Sequence, residues 1–364
     1  MSSPEVVSAR EQKILGIIET TRAKKAKFRD AQVTMAHGAG GKATQGLIEG
    51  LLLPAFGSEQ LEALGDSGIV SLLGGDVALT TDSFVVKPLR FPGGSIGELA
   101  VNGTVNDLAM AGARPVALTL SLILEEGLPA DELKAEVDAI AGAARDAGVQ
   151  IVAGDTKVVE RGHADGMYIN TTGLGLVDER AALSPAGLRP GDRILLSGRV
   201  GDHGTAIMLA RGEFELGATI ESDTRSLWPA VDALLDAAGP GLRCLRDATR
   251  GGVASVLNEL ARASGVAIVV REGDVPVHPA VAGASELLGI DPMYVANEGK
   301  LVAFVAPDAA EAALAALRAA PGGEDAAEIG EVKTEPPGMV LVETAFGGRR
   351  VMDQLVGDPL PRIC

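Results

Sequence analysis

From Met35 onward, Gly-rich loops, short β-rich runs and helical segments alternate, and one turn-rich stretch, Ser184-Pro185-Ala186-Gly187-Leu188-Arg189-Pro190-Gly191-Asp192, cuts that alternation in two. Such a rhythm belongs to α/β and α+β domains, where helices cover a sheet built by the strands between them. A chain of 364 residues has room for two such domains of about 150 residues. The expected fold class is therefore α/β (α+β) in two domains.

In the first half, strands are expected over 77–81, 115–124, 149–153 and 167–177. A helix over 95–112 opens with the capping box Ser95/Glu98, and another over 131–147 carries Leu133, Val137, Ile140 and Ala144 at helical spacing. The second half brings a strand over 193–197, helices near 204–211 and 251–263, strands near 266–270 and 301–305, and an Ala-rich helix over 308–319. Four segments follow: an extension, 1–32, helical around Ile14 to Ile18 and then basic from Arg22 to Arg29; domains 33–183 and 184–350; and a tail, 351–364, that prolines keep out of helix.

Composition excludes several classes of function. The net charge of −17 repels phosphate backbones and anionic lipid, so neither nucleic acid nor membrane is expected as a partner, and bound phosphates would need a divalent metal. Aromatic residues are 3% of the chain, too few to line a stacking groove. No apolar run has signal-peptide or membrane length, so a cytoplasmic location is expected. The only cysteines, Cys244 and Cys364, are too few for a disulfide scaffold or a four-cysteine zinc site.

Five features carry chemistry. His37-Gly38-Ala39-Gly40-Gly41-Lys42 could hold an anion on its backbone N–H groups, although the Walker spacing is absent and a Gly-rich turn before a helix is common. Asp66, Asp82 and Asp155 stand at turns or strand ends, where a lone Asp often serves only as a local cap. Asp107 falls within the apolar stripe Ile96, Leu99, Ala100, Gly103 and Met110, which aims a carboxylate at the core, where it needs a cation or a partner. Asp247 to Ala254 place an acid and a base before a helix, and Asn297-Glu298-Gly299-Lys300 puts polar groups before a strand; capping and turn chemistry would account for each alone. Finally, Cys364 ends a tail whose last eight or so residues could reach about 25 Å.

Together the loop from His37 to Lys42, Thr80-Thr81-Asp82-Ser83, Asn106-Asp107-Leu108-Ala109-Met110, Gly154-Asp155-Thr156-Lys157, Asp247 to Gly252, Asn297-Glu298-Gly299 and Pro361-Arg362-Ile363-Cys364 resemble the HypE family, the carbamoyl dehydratases of [NiFe]-hydrogenase maturation. The resemblance runs from about residue 33 to the end. It implies the two-domain fold of the aminoimidazole ribonucleotide synthetase (PurM-like) superfamily. The N-terminal mixed sheet would form a homodimer interface, with ATP between an N-terminal and a C-terminal α/β domain. It also implies Asp66, Asp82, Asp107 and Asp247 as Mg²⁺ ligands and Gly38, Gly40, Gly41, Lys42, Asn106, Asp155 and Thr156 as nucleotide contacts. The implied reaction is ATP-dependent dehydration of a carbamoyl group on Cys364, delivered by the carbamoyltransferase HypF, to a thiocyanate passed to the HypC–HypD complex. Glu298 as base and Lys157 as orienting cation would meet that group. The alternatives are a synthetase or kinase of the same superfamily acting on a free small molecule, and an acidic scaffold presenting its tail. Selenophosphate synthetases carry a Cys or selenocysteine in their N-terminal Gly-rich segment, whereas no cysteine precedes Cys244 here.

Overall fold

The alternation folds into two mixed sheets, each with helices laid against it. The computed structural model describes residues 28, 30–38, 40–56, 59–62, 64–72, 74–212, 219–344, 346–355 and 363–364; the expected helix around Ile14 to Ile18 and the proline-bearing part of the tail, 356–362, lie outside these.

Helix α1 (Lys42–Leu47) follows the Gly-rich loop. β1 (Gly68–Leu72) and β2 (Gly75–Phe84) form a hairpin, and the short ribbon of β3 (Arg90–Phe91) and β4 (Gly94–Ser95) leads into α2 (Ile96–Met110). β5 (Ala113–Glu125), α3 (Ala130–Asp146) and β6 (Gln150–Val159) make a parallel unit, and β7 (Met167–Val177) returns antiparallel between β2 and β5. The order is β1-β2-β7-β5-β6. β2 and β6 both outrun their expected ends. Asp82 therefore lies within β2, and Asp155 lies within β6, opposite Ser121 in the β5 ladder, although Gly-Asp-Thr-Lys has little β-propensity of its own.

Alternation along β7 buries Met167, Ile169, Thr171, Gly173 and Gly175 beneath the helices. Among the described residues nothing covers the opposite face, on which Leu79, Ile123, Leu174 and Leu176 are each 37–45% exposed.

The second half contains β8 (Arg193–Leu196), α4 (Asp202–Ala210), α5 (Trp228–Ala238), β9 (Leu242–Asp247), α6 (Gly252–Ser264), β10 (Ala267–Arg271), α7 (Pro279–Leu288), β11 (Leu301–Val305), α8 (Ala310–Ala319), β12 (Ala327–Lys333), β13 (Met339–Glu343) and β14 (Arg349–Met352). The sheet order is β14-β13-β10-β12-β8-β11-β9. α6 packs on one face through Val253, Leu257 and Leu260, and α5 and α8 pack on the other through Val231, Leu234 and Leu317. β11, paired between β8 and the edge strand β9, is covered on both sides and reads as the unbroken apolar run Leu-Val-Ala-Phe-Val.

Helix α2 joins the two halves. Ile96, Leu99 and Val105 lie in the core of the first sheet with Phe84 and Ile169, while Ala109 and Met110 pack with Leu195, Leu245 and Leu301 of the second. The helix is thus buried nearly all round, rather than along the single stripe its spacing suggests. Its capping box forms only in part: the Glu98 carboxylate lies beside Ser95, while the Ser95 hydroxyl caps no helix N–H.

Candidate active site

Four acids converge where the two halves meet. One carboxylate oxygen each from Asp66, Asp107 and Asp247 lies within 4.8 Å of the others. Asp82 stands close enough to raise the pKa of all three. Asp107 comes from the end of α2 that touches both sheets, Asp247 ends β9, Asp82 comes from β2, and Asp66 precedes β1. Burial is the first cause holding Asp107 and Asp247 well above the usual carboxylate range, and the neighbouring acids are the next. The compensation is partial: Thr80 Oγ1 donates to Asp107 at 2.7 Å, and Arg246 pairs with Asp66. Clustered hard oxygen donors with too little positive charge fit Mg²⁺.

Beside the acids stands Glu298, 3% exposed, whose Oε1 has no hydrogen-bond partner among the described residues. Burial raises its pKa well above normal, helped by Asp247, Asp223 and Asp82 and opposed by Arg250. Its backbone is pinned: the N–H donates to Asp223 at 3.0 Å, and the Asp223 carboxylate also holds Lys300 at 2.8 Å, their side chains 4% and 5% exposed. A side chain at Gly299 would put Cβ 1.9 Å from the Asp223 carbonyl oxygen, so this approach requires glycine. Asn297 braces the same turn by accepting the Gly201 N–H at 2.8 Å and donating to Ala248 O at 2.9 Å. Cys364 reaches this place, its thiol lying against Glu298 and facing Arg250; burial raises its pKa first, and Arg250 opposes the rise.

The Gly-rich loop lies against the same segment. Gly40, at φ +74°, sits where a Cβ would come 3.1 Å from Arg250, and Arg250 donates to Gly38 O at 3.2 Å. Gly41 precedes α1, and Lys42 is paired with Asp353 at 2.7 Å. His37 is bound locally, to Asp30 and Thr34, each at 3.0 Å. Asn106 uses its amide on the chain itself, donating to Arg225 O at 3.0 Å and accepting the Leu227 N–H at 2.7 Å.

Lys157 is not brought to Glu298 within this chain. It pairs with Asp155 at 2.6 Å, both exposed. The register sets Lys157 beside Ile123 and Asp155 beside Ser121, on the uncovered face. Asp82 points the other way, toward Gly103 of α2. Thr156 shares the helix-facing side with Leu122 on the edge strand. Sequence reasoning missed Asp223, Arg246 and His203; the one signal available was Arg246, next to Asp247.

Two mixed α/β domains with an acid-lined site at their junction define the class of AIR synthase related proteins. The model of that family's N-terminal domain matches residues 64–177, and that of its C-terminal domain matches residues 189–342. Carbamoyl dehydratase HypE of Bradyrhizobium diazoefficiens is 50% identical over 341 residues, 94% of this chain and 99% of that one. That of Cupriavidus necator is 51% identical over 338 residues, 93% and 96%. A crystal structure of hydrogenase maturation protein HypE in complex with ATP superposes with a TM-score of 0.77 at 47% identity, covering 92% of this chain and 100% of that one. HypE from a HypE–HypF complex gives 0.81 at 47% identity, covering 85% and 99%. The chain belongs to the HypE family of carbamoyl dehydratases, enzymes of hydrogenase maturation.

Proposed function

We propose that this chain uses ATP to dehydrate a carbamoyl group carried on Cys364, leaving a thiocyanate from which cyanide is passed on. The observation that carries this reading is the Cys364 thiol resting on the Glu298 carboxyl beside the acid cluster. The loaded cysteine is a thiocarboxamide, S–C(=O)–NH2, whose oxygen is a poor leaving group. Transfer of the ATP γ-phosphoryl to that oxygen, with loss of one N–H proton, gives an imidate phosphate. Loss of the second N–H proton as phosphate departs leaves S–C≡N.

Asp66, Asp107 and Asp247, with Asp82 beside them, would hold Mg²⁺, which neutralises charge on the phosphates. Glu298, whose raised pKa makes its ionised form a strong base, takes one N–H proton in each step and releases the first to solvent before it accepts the second, and Arg250 faces the sulfur. Gly38 and Gly40, which lie against Arg250, take the phosphates together with Gly41 and Lys42, Lys42 exchanging Asp353 for them. Asp155, on the uncovered face with Lys157, would meet the nucleotide of a second copy, Thr156 would complete the contacts from the helix-facing side, and Asn106 supports them by holding residues 225–227.

The apolar uncovered face of the first sheet is the surface for a second copy of the chain. Lys157 lies on that face, so it orients the thiocarboxamide of the opposite copy. HypF, which is bound to HypE in one of the similar structures, supplies the carbamoyl group, and the HypC–HypD complex takes the cyanide. ATP supply places this work in the cytoplasm. Among the described residues no helix is long and apolar enough to cross a membrane.

The test is intact mass after incubation with ATP, Mg²⁺, carbamoyl phosphate and HypF, followed by peptide mapping. A cyano group on Cys364 that requires ATP hydrolysis is expected. An unmodified cysteine, with ATP consumed on a free metabolite, would move the chain to a synthetase or kinase reading.

A further inference from the structure

His203, at the start of α4, is wholly buried, and both its ring nitrogens are engaged. Nδ1 lies 2.8 Å from the Ser222 hydroxyl and Nε2 lies 2.9 Å from the carbonyl oxygen of Ile363. The neighbours assign the tautomer. Ser222 Oγ already accepts the Thr224 N–H at 3.2 Å, which leaves its own proton for Nδ1, and the Ile363 carbonyl can only accept, so Nε2 carries the ring proton. Phe91 meets the imidazole edge-on, with ring centroids 5.6 Å apart. The Ile363 side chain, 3% exposed, is packed in the cluster that holds Phe91, Ile207, Met208 and Val295.

The penultimate residue is therefore gripped by both main chain and side chain, and the thiol one residue further on falls at Glu298. Ser222 is followed by Asp223, which receives the Glu298 N–H. One short loop thus sets both members of the thiol–carboxyl pair.

We propose that His203, oriented by Ser222, is a positioning residue that docks the Ile363–Cys364 end of the chain and sets the thiol against Glu298. The docking stands on this geometry alone; only its consequence for turnover rests on Cys364 being the carbamoyl carrier.

Glutamine can imitate this tautomer, its amide N–H replacing Nε2–H and its amide oxygen replacing Nδ1, whereas phenylalanine keeps the ring and loses both bonds. The experiment is the rate of Cys364 alkylation by iodoacetamide in the full-length protein, without ATP or carbamoyl donor, read on the C-terminal peptide by mass. Cys244 is buried with its thiol pushed up to about 12, so its peptide stays unlabelled while the fold is intact. His203→Phe is expected to react about tenfold faster than wild type, equivalent to about 1.4 kcal/mol of lost docking, and His203→Gln within about twofold of wild type. A phenylalanine variant as slow as wild type, or a glutamine variant as fast as the phenylalanine one, overturns the proposal. Should Cys244 become labelled in His203→Phe, Ser222→Ala decides instead: an intermediate rise supports the docking and an unchanged rate overturns it. Failure of the dehydration reading shows separately, as a tail that is protected by His203 yet never gains a cyano group.

Discussion

The Cys364 thiol lies against the Glu298 carboxyl, and burial holds the pKa of both well above normal. An unloaded cysteine in this position stays a thiol, and on the proposed reaction its neighbour would exchange protons with a group carried on the sulfur.

Glu298→Gln keeps the size and a hydrogen bond but removes the proton acceptor. Thiocyanate formation should fall about 10²- to 10⁴-fold, while ATP affinity, measured by calorimetric titration, stays within about twofold. A drop in both by similar factors would make Glu298 part of nucleotide binding instead.

Asp247→Asn removes one of three mutually repelling carboxylates. In metal-free protein the melting temperature should rise or hold, because like-charge repulsion is relieved. The rise that Mg²⁺ and ATP give the wild type by mass action should largely vanish. Thermal shift with and without Mg²⁺ reads both; a metal-free melting temperature that falls by several degrees contradicts the account.

Asp202, the first residue of α4, has its pKa raised to about 6, chiefly by burial. The folded state thus keeps a proton between about pH 3.8 and 6 that the unfolded chain releases, and stability falls as pH rises through that window. Asp202→Asn should melt higher than wild type above pH 6 by about 1–2 °C, for about 1 kcal/mol after solvent screening, and show no gain at pH 4. Equal gains at both pH values would contradict the assignment.

Lys157→Ala and Glu298→Gln should each be inactive as homodimers. Since Lys157 and Asp82 face opposite sides of one sheet, mixed dimers should recover about a quarter of wild-type activity, one intact site forming in each heterodimer. No recovery on mixing would place both residues in the same copy's site.

Much of this was legible in the sequence. Alternation and capping residues located β5, β7, α2, α3 and α6 to within a few residues, and the motif acids Asp66, Asp107 and Asp247 do meet. The sequence was silent where tertiary context decides. The placement of Lys157 depends on strand register, which a Gly-Asp-Thr-Lys run does not reveal. His203 and Asp223 sit in stretches with no motif, and their partners are 160 and 77 positions away, Ile363 and Lys300 respectively. Helix α2 has too little polar surface for its spacing to tell which face meets which sheet.

That helix has one more consequence. Because α2 supplies side chains to the interior of both halves, neither half is a finished unit once the chain is severed at the turn-rich stretch around 184–192. Scanning calorimetry should accordingly give one endotherm rather than two, with calorimetric and van't Hoff enthalpies in agreement, and the halves expressed apart should fold only when mixed. The acids that gather at the end of α2 would then stand or fall with the molecule as a whole.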